Sequence, residues 1–253
     1  MISIVIIGSG NVAQHLIKTF TSSKLVNVVQ CFARNKNAIS HLINNDKIVD
    51  DYSLLKPANI YIIAVTDTAI AEVSNQIPFK DKLVVHTSGS VAMNELSDNN
   101  RKGVFYPLQT FSKTKAVSFN EVPIFIESQN ESDFKVLEKM AYSISNSVYN
   151  ITSKQRKSLH VAAVFVSNFV NHLYTIGNQI CEENNVSFDV LKPLIQETAQ
   201  KITTLLPQEA QTGPAIRNDT ITINKHLLML TKENQKEIYK LLTKSIIDNG
   251  KKL

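Results

Sequence analysis

The sequence predicts an α/β fold in which a doubly wound, mainly parallel sheet is followed by an all-α C-terminal domain. Three observations support this prediction. A glycine-rich turn follows the first apolar segment, short Val/Ile-rich runs alternate with helical patterns over roughly the first 150 residues, and only helical periodicity remains beyond Thr152. We therefore expect two domains, spanning residues 1–152 and 153–253.

The first element is an apolar strand, Ile2–Ile7, that leads into Gly8-Ser9-Gly10-Asn11-Val12-Ala13. In this pattern the first glycine permits a tight turn, the second lets the backbone approach a pyrophosphate, and the small sixth residue lets helix and strand pack closely. The helix that follows offers free N–H groups and a positive dipole end to phosphates. The pattern predicts a Rossmann dinucleotide site, and a plain strand-to-helix turn is the alternative. The predicted contacts are Gly8, Ser9, Gly10, Asn11 and Val12.

The remaining elements follow from apolar runs and helical spacing. The strands are near-continuous apolar runs, as expected when helices cover both faces of a parallel sheet. The predicted further strands are Val26–Ala33, Ile60–Val65, Leu83–His86, Gly103–Pro107, Pro123–Glu127 and Ser147–Ile151. The predicted helices are Val12–Thr21, Asn37–Asn44, Thr68–Gln76 and Asp133–Ser145, then Ser158–Ile180, Ser187–Leu205, Thr220–Leu230 and Lys232–Asp248.

Composition narrows the class of protein. With 253 residues, 43% hydrophobic and 19% charged, the chain is typical of a globular protein. Cys31 and Cys181 have no CxxC or CxxH partner, so neither a disulfide framework nor a metal site is expected, and a reducing compartment is favoured. We find no secretory leader and no segment of membrane-spanning length, which predicts a cytoplasmic protein without a membrane partner. The net charge of +5 is scattered rather than gathered into a basic stripe, so no nucleic-acid partner is expected.

The end of the second predicted strand bears on the choice of dinucleotide. NAD-binding versions of this fold carry an acidic residue there that accepts from the ribose 2′-OH. This chain has Arg34 and Asn35 instead, followed by Lys36. A guanidinium can bind a 2′-phosphate with two hydrogen bonds, so NADP(H) is favoured over NAD(H). The alternative is that Arg34 and Lys36 simply begin a solvated helix.

Polar residues also lie at the ends of three later strands, in the segments Ala64-Val-Thr-Asp67, His86-Thr-Ser-Gly-Ser90 and Tyr106-Pro-Leu-Gln-Thr-Phe111. Ligands of open α/β sheets bind beyond the carboxyl ends of the strands, so these residues are candidates for the nicotinamide half of the site. The alternatives are that Asp67 caps a helix and that Ser88-Gly89 is an ordinary turn. The predicted cofactor contacts are Ala64, Val65, Thr66, Thr87 and Ser88, with Ser88 also able to face a substrate.

Together with His160-Val-Ala-Ala-Val-Phe-Val-Ser-Asn168 and Thr212-Gly-Pro-Ala-Ile-Arg-Asn-Asp219, these motifs resemble a bacterial family of Rossmann-like NADP oxidoreductases with an uncharacterised helical C-terminal domain. The resemblance covers essentially the whole chain. More distantly, the chain is similar to pyrroline-5-carboxylate reductase and the β-hydroxyacid dehydrogenases. The resemblance implies NADP(H)-dependent redox chemistry and a helical domain of a kind that often forms dimers. The segment 159–166 is apolar on nearly every side and must be enclosed, which also favours a homodimer.

The catalytic group is less well defined. The β-hydroxyacid dehydrogenases use a lysine three residues before an Asn pair, and in this chain Val164 takes the place of that lysine, so their mechanism does not carry over. His160 lies one helical turn earlier and shares an α-helical face with Asn168, at positions i and i+8. Its imidazole can protonate an alkoxide, and a core histidine is the alternative. His86, at the end of an apolar strand, is expected to be structural.

The loop Pro207–Asp219 is the second candidate for the substrate site. Gly213-Pro214 forces an irregular backbone there, and Arg217 can bind a substrate carboxylate. The alternatives are that Arg217 pairs with a surface acid and that Asn218 or Asp219 caps the next helix.

These residues predict an NADP(H)-dependent oxidoreductase acting on a small polar carbonyl or imine. The candidate catalytic residues are His160, Asn168, Arg217 and Ser88. Two other functions stay open: a non-catalytic NADP(H)-binding sensor or scaffold, and hydride exchange with a deazaflavin in place of a conventional substrate.

Overall fold

A computed structural model describes residues 1–250, which form two compact units: Met1–Ser167, and a second unit that begins at Asn168. The predicted α/β fold followed by a helical C-terminal region is confirmed. The first unit also includes residues 153–167, which lie beyond the predicted boundary at residue 152.

The first unit is built on one eight-stranded sheet with the order β3-β2-β1-β4-β5-β6-β7-β8. All neighbouring strands are parallel except β6 and β7. The strand order reverses between β1 and β4, and a crevice for ligands is expected beyond the carboxyl ends of those strands. The strands are β1 Ile2–Ile7, β2 Val26–Phe32, β3 Ile48–Val49, β4 Ile60–Ile63, β5 Leu83–His86, β6 Arg101–Pro107, β7 Ile124–Ser128 and β8 Val148–Asn150.

Helices cover both faces of this sheet. Helix α1, Asn11–Thr21, and helix α3, Glu131–Tyr142, bury Phe20 and Leu137 against one face. Helix α2, Ile70–Asn75, packs Ile70 against the other. The central strands are therefore fully buried, which explains their continuous apolar sequences.

The predicted helix Asn37–Asn44 is wrong. The chain forms only two short 3₁₀ turns in this region, Lys36–Ala38 and Asn45–Lys47. The Asn35 side chain accepts a hydrogen bond from the Asn37 N–H, at 3.1 Å. Asparagine side chains that bond to nearby backbone in this way compete with a regular helix.

A long helical segment leaves the sheet after β8. Helix α4, Ser153–Ala163, is followed by a π-helical turn, Val164–Phe169, and by helix α5, Val170–Glu183. The expected enclosure is not met within a single chain, since Val161 is 58% exposed and Val166 is 72% exposed. The expectation that no segment has membrane-spanning length is wrong, since Ser153–Glu183 contains an 18-residue window with a mean hydropathy of 1.2, none of it buried. Helices of soluble proteins can meet the same length and composition criteria.

The second unit is entirely helical in the part of the chain that the structure describes. Its helices after α5 are α6 Lys192–Lys201, α7 Thr220–Met229 and α8 Glu233–Gly250. The predicted helix Ser187–Leu205 is shorter than expected, because a 3₁₀ turn, Phe188–Leu191, precedes α6. The buried Gln235 of α8 bonds to Gln179 of α5 at 3.3 Å, and this contact helps join the two helices.

Candidate functional site

The turn after β1 requires a glycine at its first position. Gly8 has a φ of +136°, which is outside the range that L-residues readily adopt. A Cβ atom at this position would lie 2.1 Å from the carbonyl oxygen of Ala64, the residue that follows β4. The glycine therefore lets β1 and β4 stay paired while the chain turns into α1.

Helix α1 presents an uncapped N-terminus at this turn. Its N-cap is Gly10 in an extended conformation, and within residues 1–250 no side chain accepts from its first N–H groups. No described atom lies within 4 Å of the place where a Cβ of Gly10 would stand, so the space over the first turn of the helix is open. Free N–H groups at the positive end of a helix dipole are suited to a pyrophosphate.

A cavity of about 690 Å³ extends from this turn along the carboxyl ends of β1, β4 and β5. Its size is within the range of cofactor pockets. With the exception of Asn35, all of the predicted cofactor residues line it: Gly8, Ser9, Gly10, Asn11, Val12, Arg34, Ala64, Val65, Thr66, Thr87 and Ser88. The cavity lining also includes Tyr52, Tyr106 and His160.

The polar side chains that follow β2 make different contacts. Arg34 lines the cavity. Lys36 is paired with Asp50, Nζ to Oδ1 at 2.9 Å, and Asn35 caps the 3₁₀ turn, so their side chains are engaged elsewhere. Of Arg34, Asn35 and Lys36, Arg34 alone lines the cavity.

Tyr52 adds an aromatic surface beside Arg34. Its ring stacks on Phe32 with a centroid distance of 4.0 Å, and both rings line the cavity. Burial raises the pKa of Tyr52, and the positive charge of Arg34 opposes that rise, which reflects the closeness of the two side chains. An aromatic face next to a guanidinium suits an adenosine phosphate. The sequence analysis missed Tyr52, which lies on a three-residue 3₁₀ turn without a recognisable pattern.

At the other end of the cavity, His160 is paired with Tyr106. The imidazole Nδ1 and the phenol Oη are 3.1 Å apart, and the rings meet edge to face. Burial raises the pKa of Tyr106, while the Arg156 charge lowers it and the Asp67 charge raises it. The phenol therefore stays protonated at neutral pH, and its oxygen shares one hydrogen bond with Nδ1. Sequence reasoning named His160 but missed Tyr106, although the motif Tyr106-Pro-Leu-Gln-Thr-Phe was noted as part of the resemblance.

The turn after β5 lies between these two groups of residues. The Ser88 hydroxyl oxygen accepts from the N–H groups of Ser90 and Val91, both at 3.0 Å, which closes the turn. Ser90 Oγ donates to Asp67 Oδ2 at 2.7 Å. The alternative considered for Asp67, that it caps a helix, is wrong, since the N-cap of its 3₁₀ turn is Thr66 and that of α2 is Ala69.

Gly89 is held against the His160–Tyr106 pair. A Cβ at position 89 would lie 2.4 Å from His160 Nδ1 and 2.9 Å from Tyr106 Cζ. The absence of a side chain at this point lets the imidazole and the phenol approach the turn directly.

His86, at the end of β5, is fully buried and its Nδ1 accepts from the Ser88 N–H at 3.2 Å. Burial and, to a smaller extent, the nearby Arg156 charge lower the pKa of His86 to about 4, against opposing effects of the Ala92 backbone and Asp67. The side chain is therefore neutral in the folded protein and acts as a fixed acceptor for the turn.

We expect His86 to make the protein acid-sensitive. Because its folded-state pKa is about 4 and its ordinary value is 6.5, its contribution to stability is complete above pH 6.5 and is lost as the pH falls from 6.5 to 4. The loss is about 3 kcal/mol. Urea unfolding at pH 7 and pH 4.5 measures it, with His86→Asn as the comparison that keeps an acceptor but cannot gain a proton. Equal acid destabilisation of both proteins would show that another group is responsible.

Arg156 is a further residue that sequence reasoning missed. It is fully buried on α4, and its Nη2 donates to Glu127 Oε2 at 3.2 Å. Its Nη1 donates to the carbonyl oxygens of Ser88 and Val91 at 2.7 and 2.8 Å. These contacts bring together segments far apart in the sequence, so no local pattern predicts them.

The other predicted catalytic residues lie in the second unit. Asn168 and Arg217 are both exposed in the chain, and their predicted roles stay predictions. The α-helical spacing used to place Asn168 on the face of His160 is wrong, because the π-helical turn Val164–Phe169 changes the residue spacing before Asn168.

The loop before α7 has the irregular backbone expected of it. Gly213 has a φ of +108° and Asn218 a φ of 52°. Asp219 caps α7 by accepting from the Thr222 N–H at 3.0 Å, which lowers the pKa of its carboxyl group, and the Arg217 charge adds a smaller effect. The capping role considered for Asp219 is therefore confirmed.

Within residues 1–250 no group of three His, Cys, Asp or Glu side chains is placed to hold a metal ion.

Comparison with known proteins agrees with this geometry. A family profile described as NADP oxidoreductase, coenzyme F420-dependent, matches residues 3–89, and the profile of a domain of unknown function, DUF2520, matches residues 122–246. A protein of Bacteroides fragilis named as an NADP oxidoreductase is 41% identical, with 98% of each chain covered and a TM-score of 0.89. No curated protein matches the sequence.

More distant structures share the fold. An imine reductase of Pseudomonas sp. is 11% identical, with a TM-score of 0.69 and 98% of this chain and 94% of that chain covered. The pyrroline carboxylate reductase of Plasmodium falciparum, solved with NADP bound, is 14% identical, with a TM-score of 0.57 and 99% and 97% covered. The glycine turn, the matched profiles and the similarity over the full length together show that the chain belongs to the family of NADP oxidoreductases that joins a Rossmann-like nucleotide-binding domain to a DUF2520 domain.

Proposed function

We propose that the protein is an NADP(H)-dependent reductase of small polar substrates, with an imine favoured over a carbonyl. The observation that carries this proposal is that one cavity joins the Gly8–Val12 turn to the His160–Tyr106 pair. A dinucleotide whose pyrophosphate lies over α1 extends along the strand ends toward His160.

The residues present fit NADP(H). The open space over Gly10 accepts the pyrophosphate, Tyr52 offers a face to the adenosine half, and Arg34 binds the 2′-phosphate. NADPH supplies a hydride when it is bound. The chain itself has to hold the acceptor, supply a proton and stabilise the charge that develops.

His160 and Tyr106 are the proposed proton donors. The proposed tautomer is the one in which the phenol donates to Nδ1 and the other imidazole nitrogen, Nε2, carries the ring proton. Nε2 can release this proton to a substrate nitrogen or oxygen. The phenol can then pass its proton to Nδ1 as Nε2 loses one. The relay leaves the imidazole neutral and the negative charge on the Tyr106 oxygen, which takes a proton from solvent water before the next turnover.

Asp67 supports an imine as the acceptor. Its carboxylate lines the cavity, accepts from Ser90 Oγ at 2.7 Å, and is close enough to raise the pKa of Tyr106. A negative charge here stabilises a protonated imine and opposes the alkoxide formed from a carbonyl. Hydride addition to the carbon of the protonated C=N bond then gives a neutral amine.

Replacement of Arg34 by Asp tests the cofactor assignment. Because the carboxylate repels a 2′-phosphate and can accept from a 2′-OH, we expect NADPH to bind at least about 10-fold more weakly and NADH more tightly. Fluorescence titration of both reduced nucleotides measures the change. Lys36→Asp is the matched control, since Lys36 pairs with Asp50, and we expect it to leave the preference unchanged. An unaltered NADPH affinity in Arg34→Asp would contradict the assignment of Arg34.

We also propose that the protein is a homodimer in the cytoplasm. Apolar side chains are strongly exposed along α4 and α7, with Val161 58% and Leu228 86% exposed, which is unusual for a chain that acts alone. A second copy presents the same faces and can cover them through a symmetric contact. Cys31 and Cys181 are both free thiols, which is typical of a reducing compartment. Light scattering should give twice the chain mass of 28.3 kDa, and a monomeric mass would contradict the dimer.

A further inference from the structure

Arg156 is the largest of the fully buried side chains that the structure describes, and its position is unusual for an arginine. Its guanidinium makes four hydrogen bonds: to the carbonyl oxygens of Ser88 and Val91, to Glu127 Oε2 and to Ser153 Oγ. Burial of an ion pair is costly, and well-packed apolar residues often stabilise a fold as well or better. Fold stability alone therefore does not explain why a charged arginine is buried at position 156.

The contacts of Arg156 point to the turn that lines the cavity. Both of its Nη1 bonds, at 2.7 and 2.8 Å, end on carbonyls at either side of Gly89-Ser90, so the guanidinium holds the turn from beneath. On the other side of the guanidinium, Glu127 Oε1 accepts from the Ser153 N–H at 2.8 Å and Oε2 accepts from Ser153 Oγ at 2.7 Å. The turn after β5, the end of β7 and the start of α4 are thus fixed to one another through a single side chain.

Helix geometry connects Arg156 with the proposed proton donor. Arg156 and His160 are four residues apart in α4, so they share a face one turn apart. His160 contacts the same turn, since its Nδ1 lies 2.4 Å from the place of a Gly89 Cβ. One face of α4 therefore meets the turn at two points, one through the buried guanidinium and one through the imidazole in the cavity.

We propose that Arg156 is a positioning residue of the reductase site. Arg156 holds the 88–91 turn in the position in which it can contact both the nicotinamide half of NADP(H) and the His160–Tyr106 pair. This inference rests on the proposed function, because it takes the turn to lie against the nicotinamide. Arg156 itself touches neither cofactor nor substrate. Its effect is exerted through the backbone of Ser88 and Gly89 and through the placement of α4.

Lysine at position 156 separates this role from a purely structural one. Lys keeps the charge beside Glu127 but lacks the planar fork that reaches the Ser88 and Val91 carbonyls together with the carboxylate. We expect Arg156→Lys to weaken NADPH binding by about 10-fold and to leave the affinity for 2′,5′-ADP, which contains only the adenosine half, within about 2-fold. Fluorescence titration of NADPH and calorimetry with 2′,5′-ADP on the full chain give the two constants.

Two further variants make the result decisive. Gly89→Ala disturbs the same turn from the cavity side, because its Cβ meets His160 Nδ1, and it should show the same selective loss of NADPH. Arg101→Lys is the matched control, because Arg101 also pairs with a buried carboxylate, Nε to Asp133 Oδ2 at 2.9 Å, but does not line the cavity. We expect Arg101→Lys to bind both nucleotides as the wild type does.

The outcomes distinguish this inference from the proposed function. A wild-type protein that binds neither nucleotide contradicts the proposed function. A wild type that binds both, with Arg156→Lys weakening both equally or neither, overturns the positioning role of Arg156 alone. If Arg156→Lys does not fold, Gly89→Ala decides: NADPH affinity equal to that of the wild type overturns the proposal.

Discussion

Replacement of Tyr106 by Phe or His160 by Asn should lower kcat by about 10²-fold or more, while the affinity for NADPH changes little. Loss of a general acid typically reduces the rate by 10²–10⁴-fold. The two groups are 3.1 Å apart and act as one donor in the proposed reaction, so the double variant should be only slightly slower than either single variant. NADPH oxidation with a panel of cyclic imines, aldehydes, keto acids and a deazaflavin measures the effect.

The control for this experiment is Tyr61→Phe. Tyr61 is also buried, and its Oη donates to the Lys56 carbonyl at 2.9 Å, but it does not line the cavity. We expect Tyr61→Phe to reduce stability without a change in kcat. Wild-type protein that binds NADPH tightly and oxidises it with none of the panel would support a sensor or scaffold instead. Unchanged turnover in both His160→Asn and Tyr106→Phe would exclude the pair as the proton donor.

The substrate panel also tests the role of Asp67. With an imine substrate, Asp67→Asn should raise KM because a stabilising charge is removed beside the cation. With a keto acid the same change should lower KM. Arg217→Ala tests the hypothesis that Arg217 binds a substrate carboxylate. If it does, the variant should raise KM only for the carboxylated imines.

The nucleotide half of this site could be predicted from sequence because its chemistry is local. Gly8, Gly10 and the start of α1 lie within a few residues of each other. The glycine pattern directly encodes the backbone conformation that each of these positions requires. That Ala64 and Thr87 lie near this turn could be predicted from topology, since parallel strands place their carboxyl ends at one edge of the sheet. Arg34 could be predicted as a cofactor contact because it stands where NAD-binding versions of the fold carry an acidic residue.

In the proposed reactive half, the sequence predicts His160 but not the residues that contact it, because those contacts join distant parts of the chain. Tyr106 meets His160 across 54 positions of sequence, and Arg156 meets Ser88 across 68. The π-helical turn Val164–Phe169 has no sequence signal that we could use, and it invalidates the spacing that placed Asn168. Asn37–Asn44 was predicted as a helix from its apolar spacing, whereas side-chain bonds to the backbone at Asn35 favour short turns.

The two glycines of the first turn should fail in different ways when each is changed to alanine. At Gly8 a Cβ would stand 2.1 Å from the Ala64 carbonyl oxygen, at a φ of +136° that alanine rarely adopts. Strain and overlap together should destabilise the fold by about 3 kcal/mol. At Gly10 the φ is −74° and the space is open, so Gly10→Ala should lose no more than about 1 kcal/mol.

For NADPH affinity we expect the opposite of the stability result, with the clearer loss at Gly10. The open space over Gly10 is where the pyrophosphate is proposed to lie, so the added methyl group should weaken NADPH binding by about 30-fold or more in a protein that is still folded. Urea unfolding and NADPH titration of the two variants give both quantities. Because Gly10→Ala leaves the strand pairing of β1 and β4 untouched, a loss of affinity in this variant reports on the phosphate contact itself. Wild-type affinity in Gly10→Ala would show that the pyrophosphate does not approach the helix at this residue.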